Sequence, residues 1–163
     1  MQQTVYLSLG SNVGKREDSL HEAIARLGAA GHVDSVSSLY ETEPVGFPAE
    51  AKDQPWFLNC AIKFFTALSP EQLMRTALQI EREMGRVRGE ERGPRNIDID
   101  ILLFGEAVID SPELTIPHPA MHERRVVLEP LAEIAPDVQH PVLKKTVLEL
   151  LKELPAGQVV RKI

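Results

Sequence analysis

Along the chain, apolar residues alternate with polar ones in some stretches and recur every three or four residues in others. These two periods divide the molecule into elements. Residues 4–9, TVYLSL, alternate as a strand does, and GSNVGKRED ends that strand in a turn built on Asn12 and two glycines. Leu20, Ala23, Ile24 and Leu27 then fall at i, i+3, i+4 and i+7 ahead of Gly28 and Gly31, which predicts a helix over about 17–29. HVDSVSSLYET and FLNCAIKFFT predict the second and third strands. Between them EPVGFPAEAKDQPW, with three prolines and a glycine, predicts a long surface loop, a length uncommon without a function. Ser69, Pro70 and Gln72 match a capping box with proline at the first helical position, opening a helix through Leu73, Ala77, Ile80 and Met84 that Gly85 stops. NIDIDILLFG predicts a fourth strand, with EAVID pairing back on it as a hairpin after Phe104-Gly105. The remaining tail holds the polar loop IPHPAMHERR, the apolar segment VVLEPLAEIAP and a short helix in TVLELLKEL.

The order β-α-β-β-α-β predicts an α+β fold of ferredoxin-like type, an antiparallel sheet with helices on one face, plus a C-terminal extension. Length and composition fit one domain over residues 1–163, since 163 residues with 43% hydrophobic character can bury a single core. A net charge of −6 excludes a broad basic footprint for nucleic acid, so any phosphate site is local. The lone Cys60, inside FLNCAIKFF, reads as a small core residue and fits a reducing cytoplasm. No basic and apolar leader opens the chain and no run of about 18 apolar residues occurs, so neither export nor membrane insertion is expected.

The chemistry concentrates in GPRNIDIDILLFG. On an extended backbone Ile97, Ile99 and Ile101 face one way, while Asp98 and Asp100 share the other about 6.6 Å apart. Like charges at that distance repel by about 2.5 kcal/mol at an effective dielectric near 20, so partial burial favours a bound cation. Hard oxygen ligands at this spacing suit Mg²⁺, which takes one or two carboxylates and completes its shell with water and phosphate oxygens. Arg82, Arg86, Arg88, Arg92 and Arg95 lie within 14 residues that hold three acids, and Gly85, Gly89 and Gly93 punctuate the same arm. Cations for phosphate oxygens leading into acids for a metal are what phosphoryl transfer needs; a solvated charged loop is the plain alternative. GSNVGKR is not a P-loop, because only three residues separate Gly10 from Gly14 and Arg16 follows Lys15 where a hydroxyl is required. His118 is confined between two prolines, as suits a nucleotide contact, and in PWFLN an aromatic beside Asn59 can hold a flat heterocycle.

Four tracts in this order, YETEPVG, DQPWFLN, GRVRGEERGPRNIDIDILLFG and IPHPAMHERRVVLEPL, closely resemble the 6-hydroxymethyl-7,8-dihydropterin pyrophosphokinase family of folate biosynthesis, over roughly residues 4–155. The resemblance implies Mg²⁺-dependent transfer of the β,γ-pyrophosphoryl group of ATP to the pterin hydroxymethyl oxygen, with release of AMP. It puts two Mg²⁺ ions on Asp98 and Asp100, and places Thr42, Pro44, Val45, Phe57 and Asn59 around the pterin. Glu81, Arg86, Arg88, Arg95, His118 and Arg124 fall around ATP, with Arg86 and Arg95 clamping the moving phosphates. It also implies a cytoplasmic monomer with no nucleic-acid or membrane partner. Val126 departs from the family, many members of which carry an aromatic after HERR. Another Mg-dependent nucleotidyl or phosphoryl transferase and a ligand-binding regulatory module stand as competing readings of the same scaffold.

Overall fold

The computed structural model describes residues 2–12, 14–42, 56–85 and 97–163. Strand β1, Gln3–Ser11, is the axis of a six-stranded sheet. It is followed by α1, Arg16–Leu27; β2, His32–Val36; β3, Tyr40–Thr42; β4, Phe57–Thr66; α2, Pro70–Glu83; and β5, Asp98–Phe104. Next come the short β6, Ile109–Asp110, and β7, Thr115–Ile116, then a 3-10 turn at Met121–Glu123, α3, Arg125–Ile134, α4, Val147–Lys152, and β8, Val160–Lys162. The sheet runs β5-β1-β4-β3-β8, with β2 also on β4, and all these pairs are antiparallel.

The predicted elements follow from local chemistry. The Ser69 side chain accepts from the Gln72 N–H while the Gln72 side chain accepts from the Ser69 N–H, so the capping box opens α2 as expected. Gly85 takes φ 94°, which only glycine adopts freely, and α2 ends there. The stretch 32–42 forms two strands, because the chain breaks at Ser37, whose hydroxyl accepts from the Ala61 N–H and donates to the Ser38 carbonyl. The 106–110 segment does not return onto β5. Gly105 does turn the chain at φ 55°, but Ile109 and Asp110 pair with Ile116 and Thr115, forming a separate two-stranded ribbon. The 111–114 turn between them is closed by Ser111–Leu114 hydrogen bonds, a nearer partner than β5.

Two cores lie on the two faces of the sheet. Val5, Leu7 and Leu9 of β1, with Cys60, Ile62 and Phe64 of β4, pack under Leu20 and Leu27 of α1 and Leu73 and Ile80 of α2. Burial pushes the Cys60 thiol up to about 12, so the sulfur is an unreactive core atom. Tyr6, Ala61, Leu102 and Leu103 face the other way, under Met121, Leu128 and Leu131 and under Val147 and Leu150 of α4. Helices therefore cover both faces, and the one-face arrangement expected from the sequence holds for α1 and α2 alone. A sheet apolar on both sides needs a second cover, because each exposed leucine forfeits roughly 1.5–3 kcal/mol. The extension supplies it.

In β5 the register slips by one residue: Leu7 lies opposite Ile101 but Tyr6 opposite Leu103, leaving Leu102 as the extra residue of a bulge. Because of it, Ile101 and Phe104 enter one core and Leu102 and Leu103 the other. Strict alternation would instead send Leu103 to the first core and Phe104 to the second.

Glu133 fastens α3 to the sheet. Its carboxylate accepts from the Tyr40 hydroxyl at 2.5 Å and from the Ser38 N–H and hydroxyl at 2.9 and 3.0 Å. Burial opposes its charge, yet the Tyr40 and Ser38 donors and nearby Lys162 hold the carboxyl below its usual range. Glu133→Ala strands three donors and is expected to lower unfolding free energy by about 1–2 kcal/mol, read as a lower urea midpoint at unchanged m-value.

Candidate active site

The site grows out of strand register. Residues directly opposite one another in a sheet point to the same face. Asp98 of β5 pairs with Gly10 of β1, Gly10 with Asn59 of β4, and Asn59 with Tyr40 of β3. One row across four strands therefore carries a carboxylate, a gap, an amide and a phenol, all on the face that α3 covers. The next row along β5 and β1 pairs Asp100 with Ser8. At about 4.8 Å between strands, Asp98 and Asn59 stand about 10 Å apart with the glycine between them.

That gap is built for close approach. A Cβ placed on Gly10 would collide with Asn59 Nδ2 and touch the Phe57 ring. Asn59 is 8% exposed and is held by the Thr42 hydroxyl, which donates to its Oδ1 at 2.8 Å. Thr42 in turn pairs with Phe57 across β3 and β4. A half-buried ring, a hydroxyl and an oriented amide thus border one recess, with the amide closing over Gly10. This suits a flat heterocycle with donors and acceptors on its rim.

Beyond the recess, Asp98 and Asp100 are half-buried on one face while Ile97, Ile99 and Ile101 are buried on the other, as period two requires. His118 lies along the free edge of β5, its N–H donating to the Leu102 carbonyl at 3.0 Å. Its Nδ1 accepts from the Ala120 N–H, which leaves the ring proton of a neutral imidazole on Nε2. Burial and the Arg124 cation hold His118 below the usual imidazole value against the pull of Asp98, so the ring stays neutral near pH 7. Asp98, His118 and Arg124 therefore share one electrostatic neighbourhood. Hard carboxylate oxygens at alternate strand positions, open on one side, fit a divalent cation that takes its remaining ligands from water and phosphate.

On the outer edge of β5 a groove of about 350 Å³ runs between α2 and the 112–119 segment. Its walls include Met74, Ala77 and Leu78 of α2, Ile99 and Ile101, and its rim carries Asp100, Thr115 and His118. Sequence reasoning named Asp100 and His118 but not the apolar wall. The helical repeat that puts Leu73 and Ile80 in the core also turns Leu78, 44% exposed, outward, and an exposed leucine beside a groove was the available signal. Glu81 is 2% exposed and accepts from the Ile99 N–H at 2.7 Å, so its carboxylate ties α2 to the edge strand. Pro44, Val45, Arg86, Arg88 and Arg95 lie outside the described residues.

Comparison with known proteins adds the chemistry that relatives carry. Residues 6–136 match the family model described as 7,8-dihydro-6-hydroxymethylpterin-pyrophosphokinase. A protein of Bacillus subtilis called 2-amino-4-hydroxy-6-hydroxymethyldihydropteridine pyrophosphokinase is 48% identical over 141 residues, covering 85% of this chain and 82% of its own. The Haemophilus influenzae protein of the same name is 38% identical over 160 residues, 97% of each chain. Folic acid synthesis protein fol1 of Schizosaccharomyces pombe is 43% identical over 153 residues, 93% of this chain but 20% of the longer protein. Among solved structures, Plasmodium falciparum HPPK-DHPS superposes with a TM-score of 0.75 at 18% identity over 94% of this chain and 45% of that one, a likeness of fold.

The recess makes a testable demand. Gly10→Ala is expected to lower stability by about 1–3 kcal/mol through its collision with Asn59, and adding Asn59→Ala should recover part of that loss. Strictly additive losses in the double-mutant cycle would show that the glycine is not required by the amide.

Proposed function

The chain belongs to the 7,8-dihydro-6-hydroxymethylpterin-pyrophosphokinase family, whose reaction transfers pyrophosphate to hydroxymethyldihydropterin in folate biosynthesis, and we propose that the Asp98–Gly10–Asn59 row is where it does so. That row is the observation that carries the reading, because it sets an oriented amide and its neighbouring aromatic ring on the same face as a pair of hard oxygen ligands. The scaffold itself, two helices over a sheet ordered β5-β1-β4-β3, supports the ferredoxin-like βαββαβ description.

In this reading the pterin packs on Phe57, with Asn59 and Thr42 reading its polar rim and Pro44 and Val45 its further contacts, as the family resemblance implies. The hydrogen bond from Thr42 fixes Oδ1 of Asn59 as acceptor, while its NH₂ donates one N–H to the Leu9 carbonyl at 3.4 Å and keeps the other for a ligand. ATP occupies the groove along β5, its base against Met74, Leu78 and Ile101 and its phosphates toward His118 and Arg124. Glu81 keeps α2 and β5 at fixed separation, so the groove has a defined width. Arg86, Arg88 and Arg95 bind the phosphate oxygens, Arg86 and Arg95 on the group that moves.

Asp98 and Asp100 are the residues that would hold Mg²⁺, two ions in this reading. Bound there, the metal would supply polarisation of the β-phosphorus, screening of the triphosphate charge and a lower pKa for the attacking hydroxyl. The pterin hydroxymethyl oxygen forms the new bond to the β-phosphorus, the bond from that phosphorus to the α,β-bridging oxygen breaks, AMP leaves, and the hydroxyl proton is released to solvent. The chain's part is to hold the two substrates in line, and His118, kept neutral, offers an Nε2–H to a phosphate oxygen without adding a charge. The reading takes the chain to act as a monomer, as the family resemblance implies. A buried thiol as the chain's single cysteine suits a cytoplasmic protein.

AMP formation from ATP and 6-hydroxymethyl-7,8-dihydropterin tests the reading directly. Pterin-dependent AMP that needs Mg²⁺ is expected, with Asp98→Ala and Asp100→Ala each lowering kcat by at least about 100-fold. A folded protein that binds nucleotide and yields ADP, pyrophosphate or no product overturns it.

A further inference from the structure

Behind the recess, on the reverse face of the same strand ends, four residues from four parts of the chain interlock. The Arg161 guanidinium of β8 lies 4.5 Å from the centroid of the Trp56 ring. Arg161 also pairs with one Glu41 oxygen at 3.2 Å, and Arg16 of α1 takes the other at 2.9 Å. The second arm of Arg16 donates to the Trp56 carbonyl at 2.8 Å. Glu41 sits between Tyr40 and Thr42 in β3, directly opposite Arg161, and Trp56 immediately precedes Phe57. Alternation places Glu41 and Arg161 on the face opposite Thr42 and Asn59. The cluster therefore touches nothing in the recess but grips the backbone that presents three of its residues, Thr42, Phe57 and Asn59.

We infer that Arg161, acting through Trp56 and Glu41, is a positioning residue for the pterin: β8 and α1 clamp the ends of β3 and β4 from behind and so fix the recess in its binding-competent shape. The inference rests on the reading of that recess as the pterin site. Each contact is modest, since Arg161 is largely exposed, but they converge on one carboxylate and one ring, and Arg16 brings its two arms to the carboxylate and the Trp56 carbonyl. Loosening the clamp removes order needed equally by bound substrate and transition state, so it raises KM for the pterin and spares kcat. Trp56 is the chain's single tryptophan, so its emission reports the stack with no other source.

The test uses the full chain, with Arg161→Ala, Arg161→Lys and Glu41→Gln. Steady-state AMP formation is measured with each substrate varied in turn, alongside Trp56 emission in the unliganded protein. Arg161→Ala is expected to raise KM for the pterin about three- to tenfold, to leave kcat and KM for ATP within about twofold, and to shift the emission. Arg161→Lys, which keeps a cation over the ring, should restore most of both. If Arg161→Ala fails to fold, Glu41→Gln loosens the same clamp from its centre and carries the same expectation. Shifted emission with an unchanged pterin KM overturns the positioning role, and unchanged emission overturns the stack. Absence of pterin-dependent AMP in the parent chain would instead remove the functional reading beneath it, a result separable from either.

Discussion

The register of β1 between β5 and β4 is the constraint on which everything else rests. Nine residues of β1 are paired with β4 and six of them with β5, so three strands are locked in one phase. A slip of one position in either ladder would turn the aspartates, or Asn59, into the core beneath α1 and α2. The slip is forbidden by the same residues that define the core, because Leu7, Leu9, Ile62 and Ile99 would then face the wrong way. Packing on one side of the sheet thus holds the chemistry on the other.

From that division the rest of the site follows. The face under α1 and α2 is apolar along Val5–Leu9 of β1, Leu58–Phe64 of β4 and Ile99–Ile101 of β5, whereas the face under α3 changes character along its length. At one end Tyr6, Ala61, Leu102 and Leu103 are covered by α3 and α4, and at the other the cover stops and the polar row begins. Glu133 marks the border, fastened to Tyr40 in the very row that ends in Asp98. Carboxylates left at the margin of an apolar cover sit where water is partly excluded but a ligand can still arrive, which strengthens their hold on a cation.

Much of this was legible in the sequence and some was not, for physical reasons. Period-two patterning fixed which side the aspartates take, and the Ser69 capping box fixed where α2 begins, since both are local facts. The second helical layer was hidden by Pro130, which interrupts α3 in sequence but is buried within it, so periodicity could not separate a helix from an apolar run there. The partner of the 106–110 segment depends on a choice between two nearby strands that no local pattern decides. Asn59 is held by Thr42, which β3 delivers to it, a meeting only the register creates. The apolar wall of the β5 groove escaped notice because its residues look individually like core. The function itself emerged from four ordered tracts rather than from any physical property of one of them.

The bulge at Leu102 carries a consequence for how such a chain can change. It splits β5 into a half answerable to the aspartates and a half answerable to packing, so amino-acid replacements in the two halves are judged by different criteria. Residues 103–104 can exchange one hydrophobe for another while volume is kept, with the carboxylates undisturbed. A change of length is another matter. Loss of Leu102 would leave Ile101 opposite Leu7 and Leu103 opposite Tyr6 in an unbroken ladder, so the strand would keep its faces and lose one core side chain. Variation in the length of this strand is therefore channelled to the bulge, where the ladder can absorb one residue, and away from the Asp98–Asp100 half, where a shift of one position turns the acids over.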